Sequence, residues 1–130
     1  MIAKFYRAPD GTEPVADFID GLPVEARASV AFSIELFNEL TDEHPYLPFP
    51  HSSQVEGELR ELRCHHGRQL YRILYRRSEN FIVLLHIFRK ATATVPEAEK
   101  RIARARWDDF KTRMDALSRT PPRPLGKDAP

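Results

Sequence analysis

The chain has 130 residues, 42% of them hydrophobic and 30% charged, which suits one domain built on one core. A single cysteine, Cys64, excludes an internal disulfide and a thiolate metal cluster. No signal peptide opens the chain and no apolar run reaches membrane-spanning length, so a cytoplasmic protein with no membrane contact is expected.

Ile2 to Tyr6 is short, apolar and aromatic and suits a strand added to a sheet. After the turn Arg7-Ala8-Pro9-Asp10-Gly11, Pro14 fits the first position of a short helix that Gly21 stops, with Val15, Phe18 and Ile19 offered to the core. Pro23 opens a longer helix over 23–40. Its apolar residues (Val24, Ala28, Val30, Ala31, Phe32, Ile34, Leu36, Phe37 and Leu40) exceed one narrow stripe, which predicts packing on both the sheet and the first helix. Residues 41–54, broken by Pro45, Pro48 and Pro50, read as a loop crossing the domain rather than walling a groove.

Residues 59–90 organise the rest. They read as antiparallel strands over 59–64, 70–76 and 81–88, joined by the turns His65-His66-Gly67-Arg68 and Arg77-Ser78-Glu79-Asn80. The middle strand alternates, with Tyr71, Ile73 and Tyr75 on one face and Arg72, Leu74 and Arg76 on the other. The last strand is apolar on both faces, as a strand covered on both sides must be. Thr94-Val95-Pro96-Glu97 matches a capping box and predicts a helix to about Leu117, anchored by Ile102, Ala103 or Ala105, Trp107, Phe110 and Met114. The tail 118–130 has four prolines and no apolar pattern, which predicts disorder. The result is an α+β domain over 1–117: a small antiparallel sheet with an N-terminal strand, two helices packed on one face and a C-terminal helix.

The formal net charge of +1 hides a segregation. Residues 60–90 hold eight Arg or Lys against Glu61 and Glu79, a net of +6, whereas residues 1–59 carry a net of −8. Such a sheet either faces a polyanion, because guanidinium grips phosphate in a planar fork, or is a solvated face with its arginines paired to Glu58, Glu61 and Glu79. With Leu62 turned to the helices, Glu61, Arg63 and His65 share the other face, and Arg72 joins them there as an exposed sheet residue if Tyr71, Ile73 and Tyr75 pack inward. Tyr71, Tyr75, Trp107, Cys64 and His86 read as packed residues rather than reactive or stacking ones. His65 and His66 are adjacent with no third ligand at fixed spacing, so no metal and no other cofactor is expected.

Glu61-Leu62-Arg63, Tyr71-Arg72-Ile73-Leu74-Tyr75 and Leu84-Leu85-His86-Ile87-Phe88-Arg89-Lys90, followed by Pro96-Glu97-x-Glu99 and an Ala/Arg-rich helix, resemble the RelE/ParE superfamily of bacterial toxins. The resemblance is to its HigB-type, phage-Gp49-like branch and covers about residues 2–110. It implies the toxin of a type II toxin–antitoxin system. That toxin would be a ribosome-dependent, metal-independent mRNA endoribonuclease, neutralised by a cognate antitoxin of helix-turn-helix type. The ParE side of the superfamily implies a gyrase inhibitor without catalysis instead, and an inactive binding module of the same fold is the third reading. By resemblance the catalytic positions are Arg63, Arg72, Arg89 and Lys90. Arg60, His65, His66, Arg68 and Arg76 are further candidates for RNA contact. RNA cleaves itself once its 2′-hydroxyl attacks the adjacent phosphorus, which needs a base, cations for the phosphorane and an acid for the leaving oxygen. Lys90, His65, His66 and Glu61 are the candidates for proton transfer.

Overall fold

Two tight turns build the centre of the sheet. Gly67, at φ +58°, turns β3 (Leu59–His66) into β4 (Gln69–Ser78), and Glu79, at φ +53°, turns β4 into β5 (Phe81–Arg89). Gly67 takes the left-handed region freely, whereas Glu79 holds it against its own side chain. The computed structural model describes residues 1–116 and 124–125. A further strand, β2 (Ser52–Glu56), pairs antiparallel with β3, and β1 (Ile2–Phe5) pairs parallel with β5, giving the order β1-β5-β4-β3-β2. The sheet is therefore mixed rather than wholly antiparallel, because the long path from β1 to β5 allows the crossover that a parallel pair needs. β2 replaces the end of the expected loop. It is an edge strand of mostly polar residues, and its Ser52 hydroxyl lies 2.5 Å from the Tyr75 hydroxyl.

Helices α1 (Pro14–Asp20) and α2 (Val24–Glu35) cover one face, and the expected end of the second helix tightens into a 3-10 turn at Leu36–Glu39. Val15, Ile19, Val30 and Phe37 pack there on Leu62, Tyr71, Ile73, Tyr75, Ile82 and Leu84. Helix α3 (Glu97–Met114) covers the other face, where Ala103 and Phe110 pack on Leu59, Leu74, Val83, Leu85 and Phe88. β5 feeds both cores, as its two apolar faces require. Its pairing shifts between Leu74 and Tyr75, so Leu85 and His86 both turn toward α3.

The capping box does not form. Pro96 is the N-cap, no side chain caps the helix, and Glu97 is its first residue. The helix ends at Met114 rather than near Leu117, with Ala103, not Ala105, as its buried small residue. The expected disorder of 118–130 lies outside the described residues except at Pro124 and Leu125, and these two are packed. Leu125 is buried in the second core, and the Pro124 carbonyl accepts the Arg7 N–H at 2.8 Å. No helix among the described residues is long and apolar enough to cross a membrane.

Candidate functional site

The β3–β4 register sets Arg63 directly opposite Arg72. Like charges facing across a ladder repel, and Glu61, two residues before Arg63 on the same face, offsets this. Arg63 Nε donates to Glu61 Oε1 at 3.2 Å, and the Ser53 hydroxyl donates to the same oxygen at 2.9 Å. Arg72 Nε lies 3.6 Å from Glu61 Oε2, an ion pair longer than a hydrogen bond, and neither of these two buried atoms has a hydrogen-bond partner. Arg72 Nη1 donates to the Tyr71 carbonyl at 3.1 Å. Glu61 and Arg72 are each only 5% exposed, so the expectation of an exposed Arg72 is overturned, and among the described residues Glu61 is the acid that balances its charge.

Lys90 joins this pair. Its backbone N–H donates to the Leu70 carbonyl at 2.9 Å, which extends the ladder one residue past β5. Burial lowers its ammonium pKa, Arg72 and Arg63 lower it further, and Glu61 opposes them. Burial likewise lowers the Arg72 pKa against the pull of Glu61. One carboxylate thus faces three cations, and the cluster keeps an excess of positive charge. Beside it opens a cavity of about 730 Å³, lined by Arg63, His65, Leu70 and Arg72 from the sheet, Pro50 and His51 before β2, Phe32 of α2 and Leu36 just after it.

The fold does not gather all the residues singled out from the sequence. Arg63, Arg72 and Lys90 come together, with exposed His65 beside them. Arg89 lies elsewhere: it pairs with Tyr71 across the ladder, and its guanidinium stands 5.9 Å from the Tyr71 ring, which belongs to the α1–α2 core. Adjacent strand residues alternate in face, so Arg89 and Lys90 could not both have joined the cluster. Arg60, 4.5 Å from the Tyr46 ring, and His66, 3.3 Å from the Ser29 hydroxyl, are also on the helix side. Arg76 is on the cluster's face but nearer α3, 4.3 Å from the Trp107 ring and 2.5 Å from Glu58. Arg68 is exposed in the β3–β4 turn. Tyr71 and Tyr75 are core residues, and His86 is satisfied by Glu99 and Arg106.

The loop before β2, expected to cross the domain rather than wall a groove, does wall one. Pro50 and His51 wall the cavity, and the Phe49 ring lies 4.8 Å from the Arg63 guanidinium. Three prolines in a loop were the available signal, since a stiffened segment can hold a wall as well as cross a domain. Phe32, expected in the core, is 67% exposed at the cavity's edge. Among the described residues no three His, Cys, Asp or Glu converge as a metal site would require.

A five-stranded mixed sheet with two helices on one face and a C-terminal helix on the other is the RelE-like architecture. The chain belongs to the phage-derived Gp49-like protein family, whose model matches residues 17–108, from α1 into α3. This is a family of RelE/HigB-type toxins of toxin–antitoxin systems. No curated protein matches the chain.

Proposed function

We propose that this toxin is an mRNA endoribonuclease that acts on the ribosome and is held inactive by a cognate antitoxin of helix-turn-helix type. The observation that carries the reading is the cluster of Arg63, Arg72 and Lys90 around one buried carboxylate. Arg63 and Arg72 neutralise the phosphorane, since guanidinium stays protonated and offers its donors in a plane. Lys90, its pKa lowered by burial and by Arg72, takes the proton of the RNA 2′-hydroxyl as the general base. His65, exposed at the mouth of the cavity, returns a proton to the leaving 5′-oxygen. The products are a 2′,3′-cyclic phosphate and a 5′-hydroxyl. The clustered cations favour attack by the RNA's own hydroxyl, because Glu61, the carboxylate among them, is held by Arg63 and Arg72.

The test is an mRNA with 2′-deoxyribose or 2′-methoxyribose at the cut position, presented on intact ribosomes. The unmodified message is cut and the modified one is not. Efficient cutting of the modified strand, or a 5′-phosphate on the product, overturns the mechanism.

A further inference from the structure

Phe49 has no part in the chemistry above, yet it is placed beside it. Its ring is 71% exposed and lies 4.8 Å from the Arg63 guanidinium. The segment that carries it is closed into a turn and fastened to β3 through His51. The His51 N–H donates to the Pro48 carbonyl at 2.9 Å, and the His51 carbonyl accepts the Arg63 N–H at 2.8 Å. Pro48 and Pro50 fix their own φ on either side. The ring therefore stands beside β3 and against Arg63, with the cavity lined by Pro50, His51, Arg63, His65, Leu70 and Arg72 next to it.

A lone exposed aromatic is ordinary. One that is braced against a cation of a phosphate-binding cluster combines the two elements that hold single-stranded nucleic acid: a charge for the backbone and a flat apolar surface for a base. An apolar protein segment seated there would strip water from Arg63 without supplying an anion, whereas an unpaired nucleotide brings ring and phosphate together. We propose that Phe49, stacked with Arg63, is the platform for an unpaired base of the RNA next to the phosphate held by Arg63 and Arg72. This rests on the reading of the cluster as an RNA-cleaving site.

The experiment measures single-turnover cleavage of a ribosome-bound message by the native chain and by Phe49→Ala, Phe49→Leu and Phe49→Trp. A second set of messages carries one abasic nucleotide at each position flanking the cut. Phe49→Ala is expected to cut about 10-fold more slowly, Phe49→Trp to recover the rate and Phe49→Leu to fail to do so. One abasic position should slow the native chain by a similar factor and slow Phe49→Ala no further. Native-rate cutting by Phe49→Ala, equal recovery by Leu and Trp, or losses that multiply at every abasic position would overturn the platform while leaving the ribonuclease reading intact. So would full cleavage by Phe49→Ala together with weakened binding of an acidic antitoxin segment, since Phe49 would then serve a protein partner. If the native chain cuts no message, the ribonuclease reading falls and the platform with it. The abasic messages also test the native protein directly, and a native chain that no abasic position slows overturns the platform whether or not a variant folds.

Discussion

Glu61 decides whether two arginines can face each other across β3 and β4. With its carboxylate in place, Arg72 can stay charged at 5% exposure; without it, two cations share a low-dielectric site with no counter-charge. Removing one member of a buried ion pair costs about 3–5 kcal/mol, mostly for the charge left behind. Glu61→Ala should therefore unfold at markedly lower urea, whereas Arg72→Ala leaves Glu61 still held by Arg63 and Ser53 and should cost less; loss of toxicity in Glu61→Ala would not separate chemistry from folding. Arg63 is the cleaner probe. Its side chain is 30% exposed, so Arg63→Ala should cost only about 1 kcal/mol while slowing cleavage by about 100-fold or more through the lost contact to the phosphorane. Urea titration beside a cleavage assay checks this, and an Arg63→Ala protein that folds and cuts at the native rate would remove Arg63 from the site. Strand alternation alone was enough to put Arg63, Arg72 and Glu61 on one face. It could not reveal that Arg72 is buried, because burial depends on what Phe88 and Lys90 bring from the next strand.

At the scale of elements, α3 is joined to β5 through His86. Arg106 Nη1 donates to the Leu85 carbonyl at 2.9 Å and lies 3.2 Å from His86 Nδ1. Guanidinium can only donate, so Nδ1 accepts and the ring proton sits on Nε2, directed at the Glu99 carboxylate. Burial, which outweighs the pull of Glu99, lowers its pKa and favours the neutral ring. The unfolded chain binds a proton at His86 as pH falls through about 6.5, while the folded chain does so only at lower pH. More protons bound by the unfolded state means that stability falls with pH across that window and is unaffected by His86 above it. Between about pH 7 and pH 5 the native chain should lose more stability than His86→Gln, as read from urea midpoints at each pH. Parallel decline of the two would show that His86 is not the titrating group. The three long strands and all three helices were legible because their apolar periods are strong. β2 was not, because among Ser52, Ser53, Gln54, Val55 and Glu56 only Val55 is apolar, and an edge strand can form on backbone pairing alone. The capping box failed for a local reason: Pro96 is held extended at φ −61°, ψ 146°, so the helix begins one residue after it.

On the scale of the whole molecule, the two faces of the sheet are closed unequally. Two helices and the segment after them cover one face, while α3 alone must cover the other. One helix spans about 10 Å of width, and five strands at about 4.8 Å spacing are wider than that. Part of the second face is therefore left to other groups. Along β3 and β4, beside α3, it carries the basic cluster. Near β1 the gap is closed by Leu125, fully buried with Tyr6, Leu85 and Phe110, and held by the bond from the Arg7 N–H to the Pro124 carbonyl. The proline content of 118–130 predicts a disordered tail, yet a single leucine, Leu125, is enough to pack when the core beneath it lacks a lid. Leu125→Ala should cost about 2–4 kcal/mol, the transfer energy of the side chain plus the cavity it leaves. The urea midpoint should fall with little change in slope, because the surface exposed on unfolding is nearly the same. None of Glu61, Arg63, Arg72 and Lys90 belongs to this core, so the folded variant should cut message at the native rate. An unchanged midpoint would mean that Leu125 adds nothing to the second core, and that α3 covers its share of the sheet unaided.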